Sequence, residues 1–395
     1  MKSATILALL PLALAAPAPG PIDRRAPIIQ PRGADIIPGK YIVKLKDGAS
    51  DAALSNAIGK IKKGKPQYVY KGAGKFKGFA GAIQDADLSE IQALPDVEYI
   101  EQESVYTVNA YVSQTGAPWG LARLSSKTTG STTYTRDSTD GAGTCSYVVD
   151  TGIYTAHSDF GGRAIWAGNF VDSSNSDGNG HGTHVAGTIG GTKHGVAKKT
   201  TLYAVKVLNA SGSGSTSGVV AGINFVATDS KNRSCPNGTV ANMSLGGSFS
   251  SSINSAAAAL VSQGVFLAVA AGNDNANAAN YSPASEATAC TVGATASNDA
   301  KSSFSNYGAV VDIFAPGTSI LSTWIGSTSS TNTISGTSMA SPHIAGLGAY
   351  LLGLEGPRTP AALCARIQAL STTGKITGLP SGTSNRLAFN GNPSA

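Results

Sequence analysis

Hydrophobic positions along the 395-residue chain fall into two regimes that meet near residue 110. In the first, residues 40–46 (Lys-Tyr-Ile-Val-Lys-Leu-Lys) alternate as a half-buried strand does, and residues 51–61 place Leu54, Ile58 and Ile61 at helical spacing. Residues 67–70 and 78–83 read as two more strands, 87–94 as a short helix and 97–100 as a last strand. The order β-α-β-β-α-β predicts a small α+β, ferredoxin-like domain over residues 39–107. With about 65 residues and no cysteine, such a unit is marginal on its own. Residues 16–39, rich in Pro and Ala and carrying Arg24-Arg25, read as a linker.

In the second regime the apolar runs are short and unalternated: 145–149, 201–207, 239–245 and 264–271. That pattern suits parallel strands buried on both faces, with 215–226 and 251–263 as helices between them. A doubly wound α/β domain, a mostly parallel sheet with helices on both faces, is predicted over residues 110–395. Charged residues fall there to 27 of 286, while Gly, Ser, Thr and Ala dominate.

The start of the chain follows neither regime. Met1-Lys2 is basic, residues 6–14 are apolar, and Ala13, Ala15 and Ala16 are small. The run is too short to span a bilayer and reads as a signal peptide over residues 1–15, cut after Ala15 because Pro17 would adjoin a later cut. A secreted, extracellular protein follows, soluble because no later run reaches 18 apolar residues. Cys145, Cys235, Cys290 and Cys364 then read as two disulfides with three possible pairings. None has the close Cys-x-x-Cys spacing of a zinc ribbon.

Composition removes other classes. Apolar residues at 41% and charged residues at 13% exclude a disordered solvating chain, and 48 glycines without a three-residue period exclude collagen. The pI near 9.0 reflects a net charge of only +6, spread as +1, +2 and +3 over residues 1–15, 16–109 and 110–395. The densest basic cluster, Lys60, Lys62, Lys63 and Lys65, has no interleaved aromatics, so nucleic acid is not an expected partner.

In open parallel sheets, reactive groups collect beyond the carboxyl ends of strands. The run Tyr147-Val148-Val149 ends in Asp150-Thr151-Gly152. A second polar stretch runs Asp177-Gly178-Asn179-Gly180-His181-Gly182-Thr183-His184, where glycines flank His181 and permit close packing. His181 and His184 lack the Glu and third ligand that a zinc peptidase needs. A third, Ser335-Gly336-Thr337-Ser338-Met339-Ala340-Ser341-Pro342-His343, opens a helix from Ser338 through Leu352, with Pro342 in its first turn. Ser338 there is an N-cap or a hydroxyl at the positive end of a helix dipole. Ala270-Ala271-Gly272-Asn273 ends another strand with an amide that can donate to an oxyanion. An esterase elbow would need Gly-x-Ser-x-Gly and the order Ser, acid, His; the order here is Asp, His, Ser.

With these stretches in this order, the chain resembles the subtilisin-like serine proteases, and within them the proteinase K branch. Gly116-Ala117-Pro118-Trp119-Gly120-Leu121, Ser244-Leu245-Gly246-Gly247 and Ser303-Phe304-Ser305-Asn306-Tyr307-Gly308 extend the resemblance over nearly all of 110–395, and residues 40–109 resemble the family's inhibitory prodomain. The resemblance implies Ser338 as nucleophile, His181 as general base and acid, Asp150 as its orienting group, and Asn273 with the Ser338 N–H as oxyanion hole. It implies protein and peptide substrates lying along Ser213, Gly214, Thr216, Ser244, Leu245 and Gly246, with Ala270, Ala271 and Gly272 walling a pocket for apolar or aromatic residues. Thr216 stands where relatives often carry Tyr, which opens a distant subsite. No acidic residue is read beside the pocket, so a preference for arginine is not expected. Val185 stands where near relatives carry a free Cys, so no reactive thiol is expected.

The same resemblance implies disulfides Cys145–Cys235 and Cys290–Cys364, closing loops of 90 and 74 residues, each worth roughly 4–5 kcal/mol if chain entropy dominates. It implies structural calcium held by Asp312 and the carbonyls of Ala287 and Ala289, oxygen ligands of the kind Ca²⁺ takes. Self-cleavage is expected between Asn109 and Ala110, leaving the propeptide as a transient inhibitor and a monomeric enzyme. A catalytically silent binding protein on the same fold is the alternative, and the presence of Asp, His and Ser speaks against it. Sequons occur at Asn209, Asn232, Asn237, Asn242 and Asn280, with Asn242 expected to be buried and unmodified.

Overall fold

The computed structural model describes residues 25–31, 36–72, 76–105 and 111–395, and the chain divides into two compact units, 1–106 and 107–395. In the first, strands Ile36–Leu45, Tyr68–Tyr70, Gly78–Ala82 and Val97–Ser104 alternate with helices Asp51–Ile58 and Asp85–Gln92 in the predicted order. The Ile36–Leu45 strand runs antiparallel between Gly78–Ala82 and Val97–Ser104. The helices lay Leu54, Ala57, Leu88 and Ile91 on Val43, Leu45, Phe79 and Ile100. Ser50 caps the first helix by accepting from the Ala53 N–H, and the helix stops at Ile58 rather than Ile61, with Gly59, a poor helix former, at its C-cap.

One expectation changes here. The stretch read as a linker contributes a strand, Ile28–Ile29, parallel to Val97–Ser104 with Ile28 opposite Ile100, and Ala26 is buried in the same core. Two residues are too few to show alternation, so pattern reading passes over them. The expected signal peptide, 1–15, and the junction at Asn109–Ala110 lie outside the described residues.

The second unit is built on a nine-stranded sheet. Eight strands run parallel, in the spatial order Arg386–Leu387, Ile313–Pro316, Cys290–Thr295, Phe266–Ala270, Gly238–Met243, Thr144–Asp150, Thr201–Lys206 and Ala164–Asn169. Their unalternated sequences follow from burial on both faces. Val148, Val240, Ala268 and Val292 face one core, while Tyr147, Val149, Ala241 and Met243 face another. Helices His181–Gly190 and Thr337–Glu355 cover the first face with Val185, Ile189, Ile344 and Leu347. Helices Thr216–Asp229 and Ser251–Ser262 cover the second with Val219, Ile223, Ala257 and Leu260.

From Thr144–Asp150 the chain first crosses to the edge strand Ala164–Asn169, fills the gap with Thr201–Lys206, then passes to the other side to add Gly238–Met243. That reversal opens a crevice at the carboxyl end of the Asp150 strand, where α/β sheets hold their ligands. Cys145 is joined to Cys235 and Cys290 to Cys364, with Cα separations of 5.6 and 6.0 Å. Among the described residues there is no free cysteine, and no helix is long and apolar enough to cross a membrane.

Candidate active site

Asp150 is the last residue of its strand and is fully buried. Its Oδ1 lies 2.8 Å from His181 Nδ1 and accepts the Thr151 N–H at 2.7 Å. Its Oδ2 has no hydrogen-bond partner among the described residues. A buried carboxylate so sparsely solvated gains from a positive charge beside it, which the imidazolium supplies. The His181 side chain keeps 25% of its surface exposed. Burial alone would depress its pKa, but the charge and hydrogen bond of Asp150, then the charge of Asp177, outweigh burial and raise it above the usual value.

Backbone geometry fixes where His181 stands. Gly180 has φ near 100°, and a Cβ there would meet the Trp324 ring at 2.6 Å. A Cβ on Gly182 would meet the Gly152 carbonyl oxygen at 2.1 Å, so the helix start packs directly on the Asp150 loop. Asp177 organises this turn: Oδ1 accepts from Thr151 Oγ1 and the N–H groups of Asn179 and Gly180, and Oδ2 from the N–H and hydroxyl of Thr183, all at 2.6–3.0 Å. Sequence reading quoted Asp177 without a role, because its partners meet only when the loop closes.

Ser338 is the second residue of helix Thr337–Glu355, which starts one residue earlier than predicted. Pro342 is therefore inside the helix rather than in its first turn. It has no N–H for the Ser338 carbonyl, and Ser244 Oγ donates to that carbonyl at 2.7 Å instead. The Ser338 hydroxyl in turn donates to the Ser244 carbonyl at 3.2 Å, and Ser244 Oγ accepts from the Asn242 amide at 2.8 Å. Asn242 is fully buried, as expected of that sequon.

Asn273 follows the Phe266–Ala270 strand in a turn braced by Asn306. The Asn306 amide donates to the Ala271 carbonyl, and its oxygen accepts from the N–H groups of Asp274 and Ala276. Asn273 Oδ1 accepts both the N–H and the hydroxyl of Thr337, at 2.8 and 2.9 Å. With the oxygen tied down, Nδ2 must face the other way. A methyl built on Gly336 would lie 3.7 Å from Asn273 Nδ2 and 3.6 Å from the Ser338 nitrogen, so the two donors border one space at the helix N-terminus.

The remaining candidates line two adjoining cavities. One, about 800 Å³, brings His181 together with Ser213, Gly214, Thr216, Ser244, Leu245 and Gly246. The other, about 460 Å³, brings Ser338 and Asn273 together with Ala270, Ala271 and Gly272. Leu245 to Ser248 border both. Two of the lining residues that were not anticipated bear on the substrate. Phe249, 58% exposed, stands over the larger cavity. Asp274 lines the smaller one, as does Tyr281. The expectation of no acidic residue beside the pocket is thereby corrected, since Asp274 directly follows Asn273.

Asp312, Ala287 and Ala289 line neither cavity. Asp312 Oδ2 accepts the Thr291 N–H at 2.8 Å and Oδ1 the Gln368 amide at 3.0 Å. Its neighbours Cys290 and Cys364 offer no thiolates, being joined to each other. The Gln368 side chain presents its N–H rather than its oxygen to Asp312, a donor where a calcium ion takes oxygen acceptors, so as placed it does not add to a calcium site.

Residues 141–385 match a family model described as the subtilase family (peptidase S8), and residues 40–109 match peptidase inhibitor I9. The chain is 62% identical to a subtilisin-like serine protease of Sarocladium strictum, covering 100% of both chains. It is 54% identical to a cuticle-degrading protease of Metarhizium anisopliae, over 99% of this chain and 100% of that one. It is 53% identical to proteinase R of Parengyodontium album, over 99% of each. The solved structure of a cold-adapted subtilisin-like serine proteinase superposes with a TM-score of 0.66 at 44% identity, covering 70% of this chain and 99% of that one.

Proposed function

Because the chain belongs to the subtilase family, we propose that its Ser338 is the nucleophile, His181 the general base and acid, and Asp150 the group that orients His181. The chain is a subtilisin-like serine protease, a hydrolase, and the I9 domain ahead of the peptidase domain makes it a zymogen. The observation that carries the residue assignment is the 2.8 Å contact between His181 and a buried Asp150, with His181 and Ser338 lining two cavities that share the wall 245–248.

The reaction follows from that geometry. When a peptide enters, the Ser338 proton turns from the Ser244 carbonyl to His181 Nε2, and Oγ attacks the peptide carbonyl. Asp150 holds the tautomer with the proton on Nδ1 and stabilises the imidazolium that forms. The oxyanion enters the space between the Ser338 N–H and Asn273 Nδ2. His181 then protonates the leaving amine, and water repeats the sequence in reverse to release the acid. The substrate strand lies along Ser213–Gly214 and Ser244–Gly246, held by backbone groups that do not read side chains.

A serine-directed fluorophosphonate tests this reading. It is expected to label Ser338 alone. Because labelling needs neutral His181, whose pKa is raised, the rate should be full above that pKa and fall as pH drops through it, at a midpoint above the ordinary histidine value of about 6.5. A label on another residue, or a midpoint below the ordinary value, would overturn the assignment.

The pocket walls suggest broad cleavage after apolar and aromatic residues, with Ala270, Ala271 and Ala284 supplying an apolar interior. Asp274 adds an acidic lip that suits lysine, whose stem packs on the alanines while its ammonium stays near water. Asp274 is exposed, so the expected effect is small. Asp274→Asn should lower kcat/KM for a lysyl anilide relative to the phenylalanyl one by about 2–5-fold, and high salt should shrink the wild-type ratio alike. An unchanged ratio would remove Asp274 from specificity.

We assign residues 1–15 as signal peptide, 16–109 as propeptide and 110–395 as the secreted, monomeric peptidase. The I9 domain is the peptidase's own transient inhibitor, and the cut lies between Asn109 and Ala110.

A further inference from the structure

Asp312 precedes the Ile313–Pro316 strand, and its contacts reach three elements of the second unit. Its N–H donates to the Thr291 carbonyl at 3.0 Å, and its Oδ2 accepts the Thr291 N–H at 2.8 Å, so it closes both backbone groups of one residue on the neighbouring strand. Its Oδ1 accepts the amide of Gln368, from helix Pro360–Leu370, at 3.0 Å. A glutamine amide can present either its oxygen or its N–H. Here Arg386, on the short strand Arg386–Leu387, decides: its Nη1 donates to Gln368 Oε1 at 3.1 Å, so only the N–H can face Asp312.

We propose that the Arg386–Gln368 pair takes the place of a calcium ion at Asp312, delivering positive charge to the carboxylate through an oriented amide. A carboxylate that is mostly out of water needs a compensating cation or donors. Burial pushes the Asp312 pKa up; the Thr291 N–H, the Gln368 N–H and the Arg386 charge oppose it. The relay meets that need without an ion and joins strand, helix and strand in one chain of hydrogen bonds. It also opposes calcium on two counts. The ion would have to displace an N–H that Arg386 holds in place, and it would sit near a guanidinium of the same sign. A calcium-binding arrangement would instead present glutamine oxygen, or no side chain at all, to the same space.

The inference does not rest on the role of Ser338, and its test is thermal rather than catalytic. The unfolding midpoint of the mature protein is measured in excess calcium chloride and in excess EDTA, with a sulfonyl fluoride present so that autolysis does not contribute. Asp312→Asn should show the same calcium-minus-EDTA difference as wild type, because calcium acting elsewhere affects both equally. Gln368→Ala should lower the EDTA midpoint by about 2–4 °C. Arg386→Leu, which frees the amide to turn, should lower it too and show a larger calcium-minus-EDTA difference than wild type. Two results would overturn the proposal: a wild-type calcium response that Asp312→Asn removes, or an Arg386→Leu protein whose midpoints match wild type in both buffers. Should the Asn variant fail to fold, the Gln368 and Arg386 variants decide the matter.

Discussion

Ser338→Ala is expected to leave the chain at full length after signal removal and to lower kcat on a phenylalanyl peptide anilide by about 10⁶-fold, the loss found for removal of the nucleophile in subtilisin itself. Wild type, by contrast, should lose about 94 residues after signal removal, the span from 16 to 109, and begin at or within a few residues of Ala110. The fold should survive the substitution. The side chain gives up one hydrogen bond, to the Ser244 carbonyl, while the bond from Ser244 Oγ goes to the Ser338 backbone and is untouched. An inert variant is then a statement about chemistry rather than folding. If wild type and variant are trimmed alike, another protease makes the cut and self-processing fails as an account of maturation. If the variant still cleaves the anilide, Ser338 is not the nucleophile.

Which parts of this site could be read from sequence follows from how local each determinant is. Asp150 announces itself because an apolar run buried on both faces must stop where the sheet stops, and the first polar residue marks the end. Gly180 and Gly182 were legible as close-packing positions, although the Trp324 ring and the Gly152 carbonyl they meet were not. Asp177 was quoted but left without a function, since the Thr151 hydroxyl comes from 26 residues away and its other four donors converge only once the loop 177–183 closes on it. Pro342 was read as a first-turn proline because the helix start was placed one residue late; the consequence, a Ser338 carbonyl released to Ser244, depends on a contact across 94 residues. Asp274 was within reach, being next to Asn273, but nothing in the sequence says whether it points toward the pocket. The relay at Asp312 was hidden for a related reason. Asp312 alone looks like a ligand, and the partners that occupy it lie 56 residues further on, with Arg386 beyond them. The Ile28–Ile29 strand was invisible because two residues hold no period, and only its pairing with Val97–Ser104 defines it.

Asn273→Ala should lower kcat by about 10²–10³-fold with little change in KM, the loss measured when subtilisin's own oxyanion-hole asparagine is removed. The argument rests on orientation. Two donors from Thr337 hold Oδ1 at 2.8 and 2.9 Å, which spends the acceptor on the protein and reserves the N–H for the substrate. A ground-state carbonyl carries little charge and gains little from that N–H, whereas the tetrahedral oxyanion gains most, so the loss falls on kcat. Asn273→Asp makes the sharper comparison. Its carboxylate can still accept both Thr337 donors, so the turn keeps its shape, but it offers an oxygen where the substrate needs a donor. That variant should be at least as inactive as Asn273→Ala while retaining the wild-type unfolding midpoint, and its fluorophosphonate labelling should slow as well, because the phosphoryl oxygen enters the same space. Full kcat in either variant would show that the oxyanion is stabilised elsewhere. A loss confined to KM would show instead that the amide binds the substrate and its transition state equally.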